Sequence, residues 1–150
     1  MISGSIVVEL ARGRLPAIPP GGMCVVDVEA VVQGHLAAAE RGRRGERYIL
    51  GGENLSHRQI AETVARIVGR RAPRLNAPGW LLGPLAAGVD LFNRIKPGQP
   101  QVSGDQIRLG AVNFFFNSRK AQAELGLPLL PVQHAAEQAY RWYCDHGYLP

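Results

Sequence analysis

The sequence predicts an α/β fold in which short strands are followed by amphipathic helices. Two apolar runs, residues 23–26 and 47–50, have the length and composition of buried strands. After each run, apolar residues recur at helical spacing, and the second half of the chain is dominated by helical patterns. Two strands and two following helices are typical of a βαβ unit, but two strands do not form a stable open sheet alone. The pattern therefore predicts an incomplete sheet covered by helices.

The first elements are a helix over residues 5–12 and, after a turn-rich loop, the strand over residues 23–26. Asp27 follows this strand and is a candidate N-cap for the next helix, because its carboxylate can accept from backbone N–H groups that lack helical partners. That helix is predicted over residues 29–40. Its expected apolar face consists of Val31, Val32, Leu36 and Ala39.

The clearest local signal is the second strand and the helix after it. The strand over residues 47–50 is predicted to end at Gly51 and Gly52. Ser56 and Gln59 have the spacing of a capping box, in which each side chain bonds to the backbone N–H of the other residue. The helix that follows is predicted to end at Gly69, and its apolar face consists of Ile60, Val64 and Ile67.

The second half of the chain is predicted to be mostly helical. Residues 80–95 are apolar almost all round, which predicts a helix that is buried or held against a partner surface. Four shorter elements follow: a helix over residues 104–109, a strand over residues 114–116, a helix over residues 119–125 capped by Ser118, and a last helix that starts at Pro131 and ends at Gly147.

The chain is basic, with a net charge of +5 and a pI near 9.8. Lysine occurs only at positions 96 and 120, so arginine supplies fifteen of the 17 basic residues. Such a balance can accompany binding to nucleic acid, anionic lipid or a phosphorylated substrate. The arginines are scattered, apart from one cluster in a predicted turn, and no aromatic interleaving accompanies them. Nucleic-acid binding is therefore not predicted, and codon usage in a GC-rich genome is the simpler explanation. The cluster consists of Arg41, Arg43, Arg44 and Arg47.

Cysteine content and hydropathy predict a soluble, cytoplasmic protein. Cys24 and Cys144 are too few for a disulfide framework and are expected to be reduced thiols. Glu9 and Arg12 interrupt the N-terminal apolar run, so no signal peptide is predicted. The longest uncharged stretch, residues 75–89, contains two prolines and is shorter than the ~20 residues of a membrane span.

No constellation of catalytic or metal-binding residues is visible. The four histidines share no ligand spacing, and no serine lies in a Gly-x-Ser-x-Gly elbow. Tyr48 and Tyr140 have no lysine four residues later, and His57, at the start of a predicted helix, is expected to be solvated. We therefore predict no catalytic, cofactor-binding or metal-ligating residue within the chain.

Three segments nevertheless have the character of family motifs. They are GMCVVDVEAVVQGH at residues 22–35, GERYILGGENLS at residues 45–56 and FFNSRKAQAELG at residues 115–126, followed by the ending WYCDHGYL. In this order they resemble the C-terminal part of the extended short-chain dehydrogenase/reductases, also called the NAD-dependent epimerase/dehydratase family. The similarity is greatest to the bacterial dihydroflavonol-reductase-like group, which includes hopanoid-associated sugar epimerases.

The resemblance implies that residues 1–150 are the substrate-side part of such an enzyme. The implied fold is an incomplete Rossmann-type fold, its last strands and helices, plus a small, mostly helical substrate-binding subdomain. In the family, an N-terminal half supplies a glycine-rich loop for NAD(P) and a catalytic Tyr-x-x-x-Lys pair, which act on a small-molecule substrate. Here phenylalanine stands four residues before Lys96 and before Lys120, and no Gly-x-Gly-x-x-Gly follows a strand. We expect the cofactor-binding half to be absent and the lone chain to be inactive and to bind no cofactor.

Three residues are predicted to lie on the substrate side: Ser3, Met23 and Asp27. Met23 stands where nucleotide-sugar epimerases of the wider superfamily often place an arginine for the substrate diphosphate. A less charged substrate, such as a ketone, an alcohol or a lipid-linked sugar, is therefore expected. Ala30 stands where the family usually has a second aspartate, so one carboxylate is missing from the start of this helix.

Two other functions stay open. The chain could be a stand-alone interaction module that docks on a full-length relative or forms a homo-oligomer through an exposed sheet edge. A basic nucleic-acid binder is the third alternative, and its affinity would depend steeply on salt.

Overall fold

A mixed three-stranded sheet connects the helices of the protein, for which a computed structural model describes residues 4–95 and 103–149. In these ranges the elements are α1 (Ser5–Ala11), β1 (Gly22–Val25), α2 (Val28–Arg41), β2 (Glu53–Ser56), α3 (His57–Ile67), α4 (Gly79–Ile95), α5 (Gly104–Leu109), β3 (Asn113–Phe114), α6 (Arg119–Leu125) and α7 (Val132–Asp145). The spatial order is β2-β1-β3, with β1 antiparallel to β2 and parallel to β3. The predicted α/β class is confirmed.

The second predicted strand was placed wrongly. Residues 47–50 lie outside the sheet. The strand β2 begins at Glu53, three residues after the predicted end, and Glu53 pairs with Val25 and Ser56 with Gly22. Tyr48 and Leu50 instead pack against α2 and α6. Apolar residues with high β-propensity indicate a segment whose side chains are half-buried. Here helices cover these side chains, and no neighbouring strand of the described sheet pairs with the backbone. Because β1 and β2 are antiparallel, the predicted βαβ unit is also wrong.

The larger core lies between the sheet and helices α1, α3 and α7. Met23, Val25 and Leu55 pack on it from one face of the sheet. Ile18 in the loop before β1 is 1% exposed, and its backbone pairs with residues 75–77 just before α4. The buried side chains of this core are Val7, Leu10, Ile18, Ile60, Ala61, Val64 and Ala136.

The smaller core is formed by α2, α6 and the segments that flank them. Its buried residues are Ala37, Ala121, Leu125 and Leu127. The predicted inner face of α2 is wrong, because the helix buries its small residues, Ala30, Gly34 and Ala37. A Cβ at Gly34 would lie 2.8 Å from a methyl carbon of Leu50, so only glycine allows this approach. The larger Val32 and Leu36 face outward.

Charged side chains tie the turn after α2 to α6. The Arg43 guanidinium pairs with Glu124 at 2.5 Å, and the Tyr48 hydroxyl donates to the same carboxylate at 2.7 Å. Lys120 pairs with Glu46, and Arg41 donates to the carbonyl of Leu125. The Tyr48 hydroxyl, together with Arg43, holds the pKa of the Glu124 carboxyl below its ordinary value. Two of the four clustered arginines are thus engaged within the protein.

Helix α4 packs on α5 through an aspartate. The Asp90 carboxylate accepts from the Gly104 N–H at 2.8 Å and pairs with Arg108 at 3.1 Å. A Cβ at position 104 would overlap this carboxylate, so glycine is required there. Leu82 and Ala86 are the side chains that α4 buries.

The chain after β3 is held by hydrogen bonds from side chains. The Asn54 amide donates to the Phe116 carbonyl at 2.9 Å and accepts from the Phe116 N–H at 3.1 Å. The predicted strand over residues 114–116 is therefore only partly right, since the ladder stops at Phe114. The predicted Ser118 cap is wrong. Its hydroxyl is buried and accepts from the Gln122 amide, while Asn117 accepts from the Arg119 N–H.

Replacing Asn54 by alanine is expected to lower the free energy of unfolding by about 1–2 kcal/mol, because two hydrogen bonds to the Phe116 backbone are lost. Urea denaturation followed by circular dichroism measures the change. Asn113→Ala is the control, because Asn113 is exposed on β3. Equal losses in both variants would show that the Asn54 bonds do not hold residues 115–117.

Candidate functional site

Two carboxylates and a histidine meet where β1 ends and β2 and α7 begin. Asp27 is 4% exposed, and one oxygen accepts from the Glu29 N–H at 2.8 Å, as the predicted N-cap requires. Its other oxygen lies 3.0 Å from Nδ1 of His134 on α7. The Glu53 carboxylate accepts from the Val132 N–H at 2.7 Å. We call this group, Asp27, Glu53 and His134, the polar junction.

The polar junction is arranged to position helices. Both Asp27 oxygens are already hydrogen-bonded, and Glu53 holds the first N–H of α7, where negative charge is favourable. General acid–base chemistry needs a carboxyl or imidazole within reach of a substrate proton. His134 has 42% of its side chain exposed, whereas the Asp27 carboxylate is buried.

Two open clefts meet at Glu53. The first, of about 750 Å³, lies between α3 and the start of α7, and Arg66 and Arg70 are among its lining residues. The second, of about 530 Å³, lies between residues 52–54 and residues 116–119 and includes Arg119. Neither cleft is lined by histidine, cysteine or tyrosine. Their lining residues can bind anionic or polar groups but supply no nucleophile–base pair.

The predicted substrate-side residues do not form one cluster in the described part of the chain. Ser3 lies outside the described residues. Met23 packs against the larger core and lines neither cleft, and Asp27 is buried in the polar junction. Their role on the substrate side stays a prediction. Sequence analysis missed Glu53 and His134, because contacts across 79 and 107 residues leave no local signal.

His57 is half-buried, which corrects the expectation that it is solvated. Its Nδ1 atom is buried and has no hydrogen-bond partner among the described residues. Burial lowers the pKa of His57 from its ordinary value, although the backbone carbonyls of Pro19 and Gly110 act in the opposite direction. Burial therefore favours the neutral form of this imidazole in the folded protein relative to the unfolded chain.

The glycine pairs of the chain are explained by close packing, and none of them forms a phosphate cradle. A Cβ at Gly22 would lie 2.6 Å from the Leu55 carbonyl oxygen, and one at Gly51 would lie 3.0 Å from Cys24 Sγ. Gly21 leads into β1, whose first residue is Gly22, and Gly51 and Gly52 precede β2, whereas a pyrophosphate loop leads from a strand into a helix. Neither pair therefore lies in the strand-to-helix turn that binds a pyrophosphate.

The described ranges contain neither a candidate metal cluster nor a candidate membrane-spanning helix. There, no three or more His, Cys, Asp or Glu side chains come together as they would around a metal ion. No helix in the same ranges has both the length and the hydropathy needed to cross a membrane.

The chain is similar to proteins named as reductases and epimerases. No protein-family model matches the chain. A Synechocystis protein named as a dihydroflavonol 4-reductase is 35% identical over 153 residues, which cover 98% of this chain and 44% of the relative. Sterol demethylase protein B of Methylococcus capsulatus is 32% identical over 146 residues, which cover 96% of this chain and 44% of the relative. The chain therefore spans less than half the length of these relatives.

Solved structures agree with this similarity. The crystal structure of gox2253 superposes with a TM-score of 0.80 at 32% identity, over 100% of this chain and 46% of that one. A nucleoside-diphosphate-sugar epimerase from Pseudomonas aeruginosa gives a TM-score of 0.74 at 26% identity, over 99% of this chain and 44% of that one. The predicted resemblance is confirmed: the chain matches the C-terminal part of the extended reductases and epimerases, with a partial Rossmann-like fold.

Replacing Asp27 by alanine is expected to lower the free energy of unfolding by about 2 kcal/mol, since the α2 cap and the His134 contact are both lost. Asp27→Asn keeps a capping oxygen and should recover about half of this loss. Glu29→Ala, an exposed acidic residue in the same turn, is the control. If Glu29→Ala costs as much as Asp27→Ala, the helix dipole and not the polar junction explains the effect.

Stability is expected to decrease as the pH falls below the unfolded histidine pKa of about 6.5, because the unfolded chain then binds a proton at His57 more readily than the folded protein does. Above a pH of about 6.5 the stabilising contribution of neutral His57 is fully present. It is lost as the pH falls toward the lower pKa that His57 has in the folded protein. Urea denaturation between about pH 7.5 and about pH 5 measures this slope. His57→Gln should flatten the slope, and His35→Gln on the exposed side of α2 should not. An unchanged slope in His57→Gln would assign the pH dependence to other groups.

Proposed function

We propose that the chain is the substrate-side part of an NAD(P)-dependent reductase or epimerase. Its catalysis requires a cofactor-binding half supplied by another polypeptide segment or another chain. Sequence similarity to such enzymes extends over 98% of this chain, which supports the family-level function. The absence of a Tyr-x-x-x-Lys pair from the sequence supports the view that the lone chain does not catalyse the reaction.

The observation that carries this proposal is an apolar stripe on α2. Val28 is 75% exposed, Val32 53% and Leu36 61%, and their spacing of four residues places them on one face of the helix. Ile49, in the extended segment beside α2, is 49% exposed. Isolated exposed leucines are ordinary, but an aligned row of large apolar side chains marks a contact surface. We call these four residues the α2 stripe.

Residues 47–50, beside α2, also suit contact with a cofactor-binding half. Residues 47–50 pair with no strand of the described sheet, and the Arg47 carbonyl accepts from Lys120 Nζ at 3.1 Å. The backbone of residues 48–50 is where we expect a further strand to pair. In our proposal the cofactor-binding half contributes that strand and covers the stripe. It also brings the glycine-rich loop and the Tyr-x-x-x-Lys pair.

The proposed substrate is a ketone, an alcohol or a lipid-linked sugar. Met23 offers no guanidinium to a diphosphate, and it packs into the larger core. Ser3, Met23 and Asp27 are kept as the substrate-side residues of this proposal, in a cytoplasmic protein. Two relatives carry names that refer to dihydroflavonol 4-reductase and to sterol demethylation, which agrees with a substrate of low charge.

A second candidate is a stand-alone module that docks on a full-length relative or forms a homo-oligomer. The α2 stripe favours it too, because a second copy could cover the same apolar row. The two candidates differ in what they need: a module functions without a cofactor, whereas a substrate-side part gains cofactor binding from its partner.

Binding of NADH and NADPH separates these candidates. We expect no binding by the chain alone at millimolar cofactor. After mixing with the separately produced N-terminal part of the Synechocystis relative, we expect a one-to-one complex that binds cofactor. Calorimetry and analytical ultracentrifugation measure the two quantities.

Val32→Ser combined with Leu36→Ser should weaken this complex by roughly a hundredfold, because two apolar side chains lose their burial. Leu85→Ser on α4, of similar exposure, is the matched control. Micromolar NADPH binding by the lone chain would overturn the proposal. A stable homo-oligomer that loses its contact in the α2 variant and captures no N-terminal part would favour the module.

A further inference from the structure

Two arginines at the end of α3 line the cleft of about 750 Å³ between α3 and the start of α7. Arg66 lies in the last turn of α3, and Arg70 follows the helix. Gly69 has a φ of 67°, in the left-handed region, and the Arg70 N–H then bonds to the Ala65 carbonyl at 2.9 Å. This turn places both arginines at one cleft, which we call the α3–α7 cleft.

Neither guanidinium is neutralised by a carboxylate. Among the described residues, no ion pair involves Arg66 or Arg70. Two glutamates also line the cleft, but each has a partner. The Glu53 carboxylate accepts from the first N–H of α7, where negative charge is favourable, and Glu62 pairs with Arg58 at 3.4 Å. The positive charge of the cleft is therefore the charge left uncompensated.

The end of α3 does not use up the donors of these arginines. Its last carbonyls already accept from the backbone N–H groups of residues 68–70. The Arg66 guanidinium donates to the Thr63 hydroxyl at 3.3 Å, which uses one of its five N–H donors. Both arginines are exposed, so their guanidinium groups can reach a ligand in the cleft.

We propose that the α3–α7 cleft binds a short dicarboxylate, with one carboxylate at Arg66 and the other at Arg70. A planar guanidinium donates two parallel hydrogen bonds to a carboxylate, and each arginine provides one such fork. The cleft volume lies in the range of small-molecule sites. Every lining residue belongs to this chain, so the binding does not depend on the proposed cofactor-binding half.

The glutamates of the cleft favour a short ligand over a polyanion. A nucleic acid that extends along the cleft would bring its phosphates close to Glu53 and Glu62, and like charges repel. A short dicarboxylate can pair with both arginines without extending along the rest of the cleft. Two separate guanidinium forks also favour a ligand with two carboxylates over a ligand with one.

Calorimetric titration of the full chain with succinate tests the proposal. We expect saturable one-to-one binding, and binding of the monoanion acetate that is about fivefold weaker, because acetate can pair with only one guanidinium. Added salt should weaken the binding of succinate, since both arginines are exposed.

Matched variants assign the binding to the cleft. Arg66→Gln and Arg70→Gln should each weaken succinate binding about fivefold. Arg71→Gln is the control, because Arg71 is exposed and does not line the cleft, and it should leave the affinity unchanged. Glu62→Gln should strengthen the binding, because it removes a negative charge from the cleft wall. Circular dichroism confirms that the variants are folded.

Three results would overturn the proposal. The first is no saturable succinate binding by the folded chain. The second is an equal loss in Arg71→Gln and in Arg66→Gln, which would assign the binding to net charge. The third is weaker binding in Glu62→Gln, which would place the ligand away from the α3–α7 cleft.

Discussion

The buried carboxylate of Asp27 is the contact on which the arrangement of the helices depends. Asp27 lies two residues after the end of β1 and caps α2, and its second oxygen holds α7 through His134. Glu53, opposite Val25 in the ladder, adds a second bond to the start of α7. Because α7 closes the larger core and α2 closes the smaller one, one polar junction sets the positions of both. A buried carboxylate is tolerated there because its oxygens are hydrogen-bonded.

In helix α2, side-chain size decides which residues face the smaller core and which face outward. Its inner face carries alanine and glycine, because Leu50 and Leu127 approach Gly34 too closely for a larger residue. The larger apolar residues are therefore left on the outer face, where they form the α2 stripe. Helix α4 also exposes large apolar residues, but its only carboxylate is turned inward onto α5.

Interactions between residues that are close in the sequence made most of the helices predictable. The caps at Asp27 and at Ser56 depend on residues two or three positions apart, and the structure has both. The predictions that failed depend on distant neighbours. Residues 47–50 pack on helices where a strand was expected, and the Ser118 hydroxyl bonds to Gln122 instead of capping α6. Periodicity could not identify the inner face of α2, because the small residues of this helix are buried and its large apolar residues are exposed.

The candidate site was the least predictable part, for the same reason. The polar junction joins residues more than seventy positions apart, and no motif relates Glu53 to Val132 or Asp27 to His134. The residues that line the two clefts indicate how the chain would contribute to its proposed function. Arginine is present in both clefts, but the only lining serine is buried and bonded, and Glu53 holds a helix start. In the proposed function such a surface would bind and orient a substrate, and proton and hydride transfer would be assigned to the cofactor-binding half. This division is the one expected of a substrate-side part.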